Sequence, residues 1–238
     1  MTRWHAPAVL DVHVNPTIHD RYPDYVALVL FASGLTNGPS DDASEAALAD
    51  AEAHLRASGL GKATEHPHIA AWRAAFSAFG AKPSKYPSSA EALMSRVLKG
   101  QPLPRVNALV DLYNAVSVRS VVPVGGEDAD RLDGALRLSV TAGGEPFDPR
   151  GDGNEVEQLQ AGEVVWRDDV GVTCRRWNWR QGRRTQLTED STRAFFVFDR
   201  LDGLPVSELH RAADELSAAL LERWPDCRLE RLERAVGR

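Results

Sequence analysis

The hydrophobic pattern of the first part of the chain predicts a buried strand followed by a helix. Residues 25–31 (YVALVLF) form an apolar run rich in β-branched and aromatic residues, bounded by Ala-Ser-Gly. Residues 9–14 alternate in part and are predicted to be the partner strand. The Ala- and acid-rich stretch 40–58 predicts a helix that begins with a capping box at Asp42 and Glu45.

Three more helices are predicted before the middle of the chain. Apolar residues at helical spacing indicate a helix over residues 69–79, which ends at a glycine. Ser88 and Glu91 have capping-box spacing and begin a helix that runs to residue 100. The third helix is predicted over residues 105–119.

The pattern then changes to that of strands. Residues 136–140 alternate between apolar and polar, and residues 163–167 and 170–179 flank an Asp-Asp pair as in a hairpin. A strand is predicted over 193–199, and a closing helix begins near Pro205. The fold class is therefore α+β, with a mixed or antiparallel sheet flanked by helices in one domain spanning residues 1–238.

Composition narrows the functional classes. The 238 residues carry a net charge of −6, which argues against broad electrostatic wrapping of nucleic acid. The two cysteines, Cys174 and Cys227, form neither a metal-ligand spacing nor a disulfide framework. No signal-peptide pattern is present, and the longest apolar run is too short to cross a bilayer. The protein is predicted to be cytoplasmic, with no membrane partner, no metal and no cofactor.

Three polar residues of the third helix are candidates for a site. Asn107, Asp111 and Asn114 are spaced four and three apart, so they share one helix face. Such a face can orient a polar ligand or a water. Spacing alone favours a solvated surface stripe, although amides are poor surface residues on helices.

A second candidate is the predicted hairpin over residues 171–184, which holds five arginines and two tryptophans. Aromatic rings beside guanidinium groups can stack a base while they neutralise a phosphate. Alternatively, the tryptophans belong to the core and the arginines are solvated. Cys174 is predicted to be a buried packing residue. In a single extended strand the side chains alternate, with Cys174, Arg176 and Asn178 on one side and Arg175, Trp177 and Trp179 on the other.

Two motifs resemble a known family. Residues 66–80 (HPHIAAWRAAFSAFG) and 174–180 (CRRWNWR) resemble the stand-alone members of the B3/B4 group. Between them, several residues are similar in order and spacing to the B3/B4 domain of the phenylalanyl-tRNA synthetase beta subunit: Asn107, Val110, Asp111, Asn114, Pro123, Leu132 and the pair Gly144-Glu145. The resemblance covers about residues 65–200, and residues 1–64 are then an extension packed on that region.

The resemblance implies a trans-acting hydrolase that removes a wrong amino acid from tRNA by attack of a positioned water on the ester. The implied partners are the aminoacylated 3′ end of tRNA and its amino acid. Asn107, Asp111 and Glu145 are the implied catalytic residues. The implied substrate-binding residues are Asn114, Arg175, Arg176, Trp177, Asn178, Trp179 and Arg180. The helix face and the hairpin are then expected to meet across one cavity.

The sequence also departs from the synthetase pattern. Gly125 stands where the synthetase domain has a histidine, and the arginines and tryptophans of residues 175–179 replace a Gly-rich pocket strand. A second hypothesis therefore remains open, in which the same fold is a non-catalytic module that binds RNA or an amino acid.

Overall fold

The computed structural model describes residues 11–149 and 156–235, and its fold is α+β, as predicted. The helices are α1 (Pro16–Arg21), α2 (Asp42–Ala57), α3 (Pro67–Ala78), α4 (Ser89–Leu98), α5 (Ala108–Ser120) and α6 (Val206–Arg223). The strands are β1 (Val12–Val14), β2 (Val26–Ser33), β3 (Val124–Asp128), β4 (Leu136–Val140), β5 (Pro146–Phe147), β6 (Glu157–Gln158), β7 (Val164–Arg167), β8 (Val172–Arg175), β9 (Arg180–Gln181), β10 (Arg193–Arg200) and β11 (Arg228–Ala235).

The strands form two main sheets. One has the order β11-β2-β10-β3 and is antiparallel throughout. The other has the order β1-β4-β7-β8-β9, in which β1 runs parallel to β4 and the remaining pairs are antiparallel. Strands β5 and β6 make a separate two-stranded ribbon. The five-stranded sheet is therefore mixed, and the four-stranded sheet is antiparallel.

Strands β2 and β10 are buried on both faces, because their apolar runs are nearly continuous. Alternate residues enter two different cores. Leu28, Leu30, Phe196 and Phe198 pack with α5 and α6, whereas Val29, Phe31, Phe195 and Val197 pack with α3 and the five-stranded sheet. The antiparallel sheet is thus a wall shared by two hydrophobic cores.

Helix α5 is surrounded by protein on every side. Residues 108–118 are all buried, and the helix packs against α2, α6 and β3. A solvated polar stripe is therefore excluded for the face that carries Asp111 and Asn114.

The predicted starts of helices α2 and α5 and the predicted partner of strand β1 were wrong. Helix α2 is capped by Asp41, whose carboxylate accepts from Ser44 N, one residue before the predicted capping box. Helix α5 begins at Ala108, and Asn107 is its N-cap. Strand β1 pairs with β4 because β10 and β11 already occupy both edges of β2. Residues 9 and 10 of the predicted partner strand lie outside the described residues.

Across the described ranges, no helix combines the length and apolar content that crossing a bilayer requires.

Candidate functional site

A cavity of about 230 Å³ lies between the hairpin, strand β3 and helices α4 and α5. This volume is slightly below the range of pockets that enclose drug-sized ligands, so it suits a group of amino-acid size. Its polar lining comes from Ser89, Asn114, Glu127, Asn178, Arg180, Gln181 and Asp199, and its apolar lining includes Tyr113, Trp166, Cys174, Trp177 and Trp179.

Glu127 is a buried carboxylate on the cavity wall. It lies on β3 directly after Gly126, where an added Cβ would come within 2.9 Å of Tyr113 and Phe196, so only glycine fits that position. The hydroxyl of Thr185 donates a hydrogen bond to Glu127 Oε2. Burial raises the pKa of Glu127 to about 7, against the opposing effect of nearby hydroxyls and of Arg184. Glu127 therefore exchanges a proton near neutral pH.

Asp199 is the second buried carboxylate of the cavity and lies near the end of β10. It accepts hydrogen bonds from the Tyr25 hydroxyl (2.6 Å) and from Asn178 Nδ2 (3.2 Å). Burial raises its pKa to about 6, and the hydrogen bonds from Tyr25 and Asn178 limit the rise. The Asn178 amide oxygen, Oδ1, is buried without a hydrogen-bond partner.

The tip of the hairpin has a strained backbone. Strand β8 ends at Arg175, and the next two residues, Arg176 and Trp177, adopt left-handed φ values of 48° and 62°. Because of this turn, the side chains after Arg175 do not alternate between two faces as the sequence predicted. The turn directs Trp177 into the core and leaves Trp179 half-buried, with its ring 4.8 Å from that of Tyr86. Paired strain of this kind is typical of sites that hold a ligand.

The arginines of the hairpin are matched by carboxylates. Arg175 donates to both oxygens of Glu163 (2.9 and 2.8 Å) and contacts Glu157, and both residues of the Arg175–Glu163 pair are buried. Arg176 lies 3.5 Å from Glu163, and its guanidinium stacks on Tyr86 with 3.7 Å to the ring centroid. The concentrated positive charge seen in the sequence is thus largely offset locally, and Arg175 and Arg176 do not line the cavity.

We expect Arg184→Ala to destabilise the protein by about 1–3 kcal/mol, because it removes a bidentate pair with the fully buried carboxylate of Asp168 (2.8 and 2.7 Å). Arg183→Ala is the matched control, since Arg183 and its partner Asp148 are both exposed and their pair contributes within about 0.5 kcal/mol. Urea unfolding of the two variants measures the difference. Equal losses would contradict a structural role for the Asp168 pair.

Only one of the three polar residues predicted to share a face of α5 lies at the cavity. Asn114 lines the cavity. Asn107 instead caps the helix, since its Oδ1 accepts from Val110 N (3.0 Å) and from Asn37 Nδ2 (3.1 Å). Asp111 accepts from Ser44 Oγ and Val106 N, both at 3.0 Å. Neither Asn107 nor Asp111 lies on the cavity wall.

Glu145, the third predicted catalytic residue, also lies away from the cavity. Its carboxylate accepts hydrogen bonds from the backbone of Ala142 and Gly143, both at 2.8 Å, and so closes the turn before β5. Desolvation opposes these bonds, but together they lower its pKa. A carboxylate stabilised in its charged form is a weak base.

The sequence over residues 71–223 matches the family described as the B3/4 domain. The chain belongs to the B3/4 domain family. Among solved structures, it is similar to an N-terminal fragment of the phenylalanyl-tRNA synthetase beta-subunit from Pyrococcus horikoshii, with a TM-score of 0.51 and 13% sequence identity. The alignment covers 95% of this chain and 54% of that one, so the chain spans about half the length of the fragment. A comparison with curated proteins gives no match.

Within this B3/4 domain, sequence reasoning missed the two buried acids of the cavity. Glu127 follows two glycines in a strand, and Asp199 follows a run of apolar residues. An acid at the end of a buried strand is the available signal, because such a position is rarely polar without a reason. Gly125 lines the same cavity, and an added Cβ there would lie 3.3 Å from Gln181 Nε2.

Cys174 lies on the cavity wall and is buried. Burial raises the pKa of its thiol well above the usual value, and the neighbouring Glu127 and Asp199 carboxylates raise it further. A thiol in this environment is protonated at neutral pH and is a poor nucleophile. Among the described residues, no group of three His, Cys, Asp or Glu side chains has the arrangement of a metal site.

Proposed function

We propose that this B3/4 domain is a trans-acting hydrolase that removes a wrongly attached amino acid from tRNA. The observation that carries the proposal is Glu127: a buried carboxyl group with a pKa of about 7 on the wall of an amino-acid-sized cavity. A general base works best when its pKa lies near the working pH. The family membership and the likeness to a tRNA synthetase fragment support an aminoacyl ester as the substrate class.

In this mechanism Glu127 removes a proton from a water molecule, and the water oxygen attacks the ester carbonyl carbon. The tetrahedral intermediate carries a negative charge on the former carbonyl oxygen, and preorganised donors stabilise that charge. Arg180 and the hydroxyl of Ser89 are donors on the cavity wall. When the intermediate collapses, the proton held by Glu127 passes to the departing ribose oxygen, which leaves free amino acid and tRNA.

Seven of the predicted residues have one of two roles in this proposal. Asn114, Trp177, Asn178, Trp179 and Arg180 line the cavity and bind the substrate. Trp179 is half-buried and beside Arg180, whose guanidinium lies 5.6 Å from its ring centroid, so it is suited to stack the terminal base. Asn107 and Asp111 are positioning residues, because they fix the start of α5 and thereby hold Asn114 at the cavity.

The proposal is tested by incubating the purified protein with a panel of mischarged tRNAs and following loss of the amino acid. We expect at least one aminoacyl-tRNA to be hydrolysed well above its spontaneous rate. The same tRNAs without protein, and correctly charged tRNAs with protein, are the controls. If binding occurs but no ester in the panel is hydrolysed, the chain is instead a non-catalytic module that binds RNA or an amino acid.

A further inference from the structure

One part of the cavity wall holds a hydrogen-bond acceptor that has no partner among the described residues. Asn178 is 7% exposed and Asp199 is 2% exposed, and both line the cavity. The Asn178 side chain donates its Nδ2 group to Asp199 Oδ2 at 3.2 Å, which leaves its Oδ1 atom buried without a partner. A buried acceptor without a donor is costly, so a ligand that brings an N–H group to it is favoured.

Among the described residues, the side chains that donate hydrogen bonds to the carboxylate beside this free acceptor are neutral. The Tyr25 hydroxyl and the Asn178 amide donate hydrogen bonds to Asp199, and neither group carries a positive charge. A carboxylate has about four acceptor positions and bonds most strongly to a charged donor. The site therefore has room for a cationic N–H group.

The surrounding side chains also favour an organic cation. Trp166 and Trp177 line the same cavity, and aromatic rings attract ammonium groups through their electron-rich faces. Glu127 supplies a second carboxylate. Arg180 is the cation among the described lining residues, and it lies 4.0 Å from Glu157 and beside Trp179.

We propose that Asp199 and Asn178 bind a primary ammonium group. Resting on the proposed function, this group is the α-ammonium of the aminoacyl moiety: Asp199 accepts one charge-assisted hydrogen bond from it and Asn178 Oδ1 accepts another. The site then takes amino acids with a free amine and excludes those whose nitrogen is acylated, because an acyl group removes the charge and two of the N–H donors.

Binding can be measured without tRNA. The probes are a panel of L-amino acid amides, each compared with its N-acetyl form, and the readouts are calorimetry and the fluorescence of the tryptophans that line the cavity. For the amides that bind, we expect acetylation to weaken binding by about 10- to 100-fold, as for loss of a hydrogen bond to a charged group. Equal binding of the two forms, or no binding by any free amide, would overturn the proposal.

The variant Asp199→Asn tests whether the Asp199 carboxylate causes the preference for amides with a free amine. It keeps the shape of the side chain and an acceptor for Tyr25, and we expect it to bring the free and acetylated amides to within about threefold of each other. Tyr25→Phe is the matched control, since it removes the 2.6 Å hydrogen bond to Asp199 but leaves the carboxylate in place. If Asp199 had only a structural role, both variants would lose stability, and both would still bind the free amides more tightly than the N-acetylated amides.

The two proposals fail separately. If esters of free and N-acetylated amino acids on tRNA are hydrolysed equally, the ammonium site is wrong and the hydrolase proposal stands. If the amides bind with the expected preference but no tRNA ester is hydrolysed, the ammonium site stands and the chain is an amino-acid-binding module.

Discussion

Replacing Glu127 with Gln is expected to slow ester hydrolysis by about 10²- to 10⁴-fold, the usual contribution of a general base. Gln has nearly the same shape as Glu and still accepts the hydrogen bond from Thr185, so the cavity is preserved. Its amide cannot take a proton from water. Single-turnover hydrolysis of the best mischarged tRNA from the panel measures the effect, and tRNA binding is followed in parallel.

The pH dependence gives an independent readout. A base with a pKa of about 7 is protonated below that pH, so wild-type activity should rise up to about pH 7 and then level off, whereas Glu127→Gln should show no such rise. Glu145→Gln is the matched control, because Glu145 lies outside the cavity and should leave the rate nearly unchanged. An active Glu127→Gln protein together with an inactive Glu145→Gln protein would instead support the role that the sequence predicted for Glu145.

Loss of stability does not explain the expected effect of Glu127→Gln. The folded-state pKa of Glu127 lies above its ordinary value of 4.5, so the folded state binds the proton more tightly than the unfolded state. Ionisation of Glu127 therefore reduces the free energy of unfolding as pH rises from about 4.5 to about 7. The neutral Gln variant lacks this penalty, and at pH 8 it should melt no lower than the wild type.

Trp177→Ala is expected to destabilise the protein by about 3–5 kcal/mol, the usual cost of removing a large buried aromatic side chain. Trp177 is fully buried, and its ring centroid lies about 5 Å from those of Tyr22, Tyr25 and Trp72. The deletion leaves a void where the hairpin tip meets the core. Urea unfolding monitored by circular dichroism measures the loss.

Trp179→Ala is the control for this deletion. Trp179 is two residues further along the same hairpin but is half-buried and meets Tyr86 edge-on, so its loss should cost about 1 kcal/mol. Similar losses for the two tryptophans would contradict the assignment of Trp177 to the core and of Trp179 to the cavity rim.

The sequence predicted the elements that depend on local signals. Helices α2 and α4 begin at capping residues, and β2 and β10 are continuous apolar runs, so each is recognisable from its own residues. The choice of partner for β1 was not predictable, because it depends on which distant strands already occupy the edges of β2. The family resemblance, carried by residues 66–80 and 174–180, supplied the fold that periodicity alone left open.

The site was harder to predict because its chemistry depends on distant neighbours. The spacing predicted that Asn107 and Asp111 share one helix face, but Asn107 is the N-cap of α5 and lies outside the helix. Nothing in the sequence showed that Ser44 of α2 would donate a hydrogen bond to Asp111. Likewise the pKa of Glu127 is set by burial, which appears only once the strands are packed. The left-handed turn at Arg176 and Trp177 was missed because neither residue is a glycine.

Because β2 and β10 contribute alternate side chains to both hydrophobic cores, the two halves of the interior cannot open independently. Any fluctuation that separates these strands exposes apolar surface on both faces of the sheet at once. We expect its free energy to approach that of global unfolding. The cavity with Glu127 and Asp199 lies against this wall, since these acids belong to β3 and β10. Asp199 is thus part of this wall and Glu127 lies on the strand paired with it, so we expect their geometry to persist between successive encounters with a ligand.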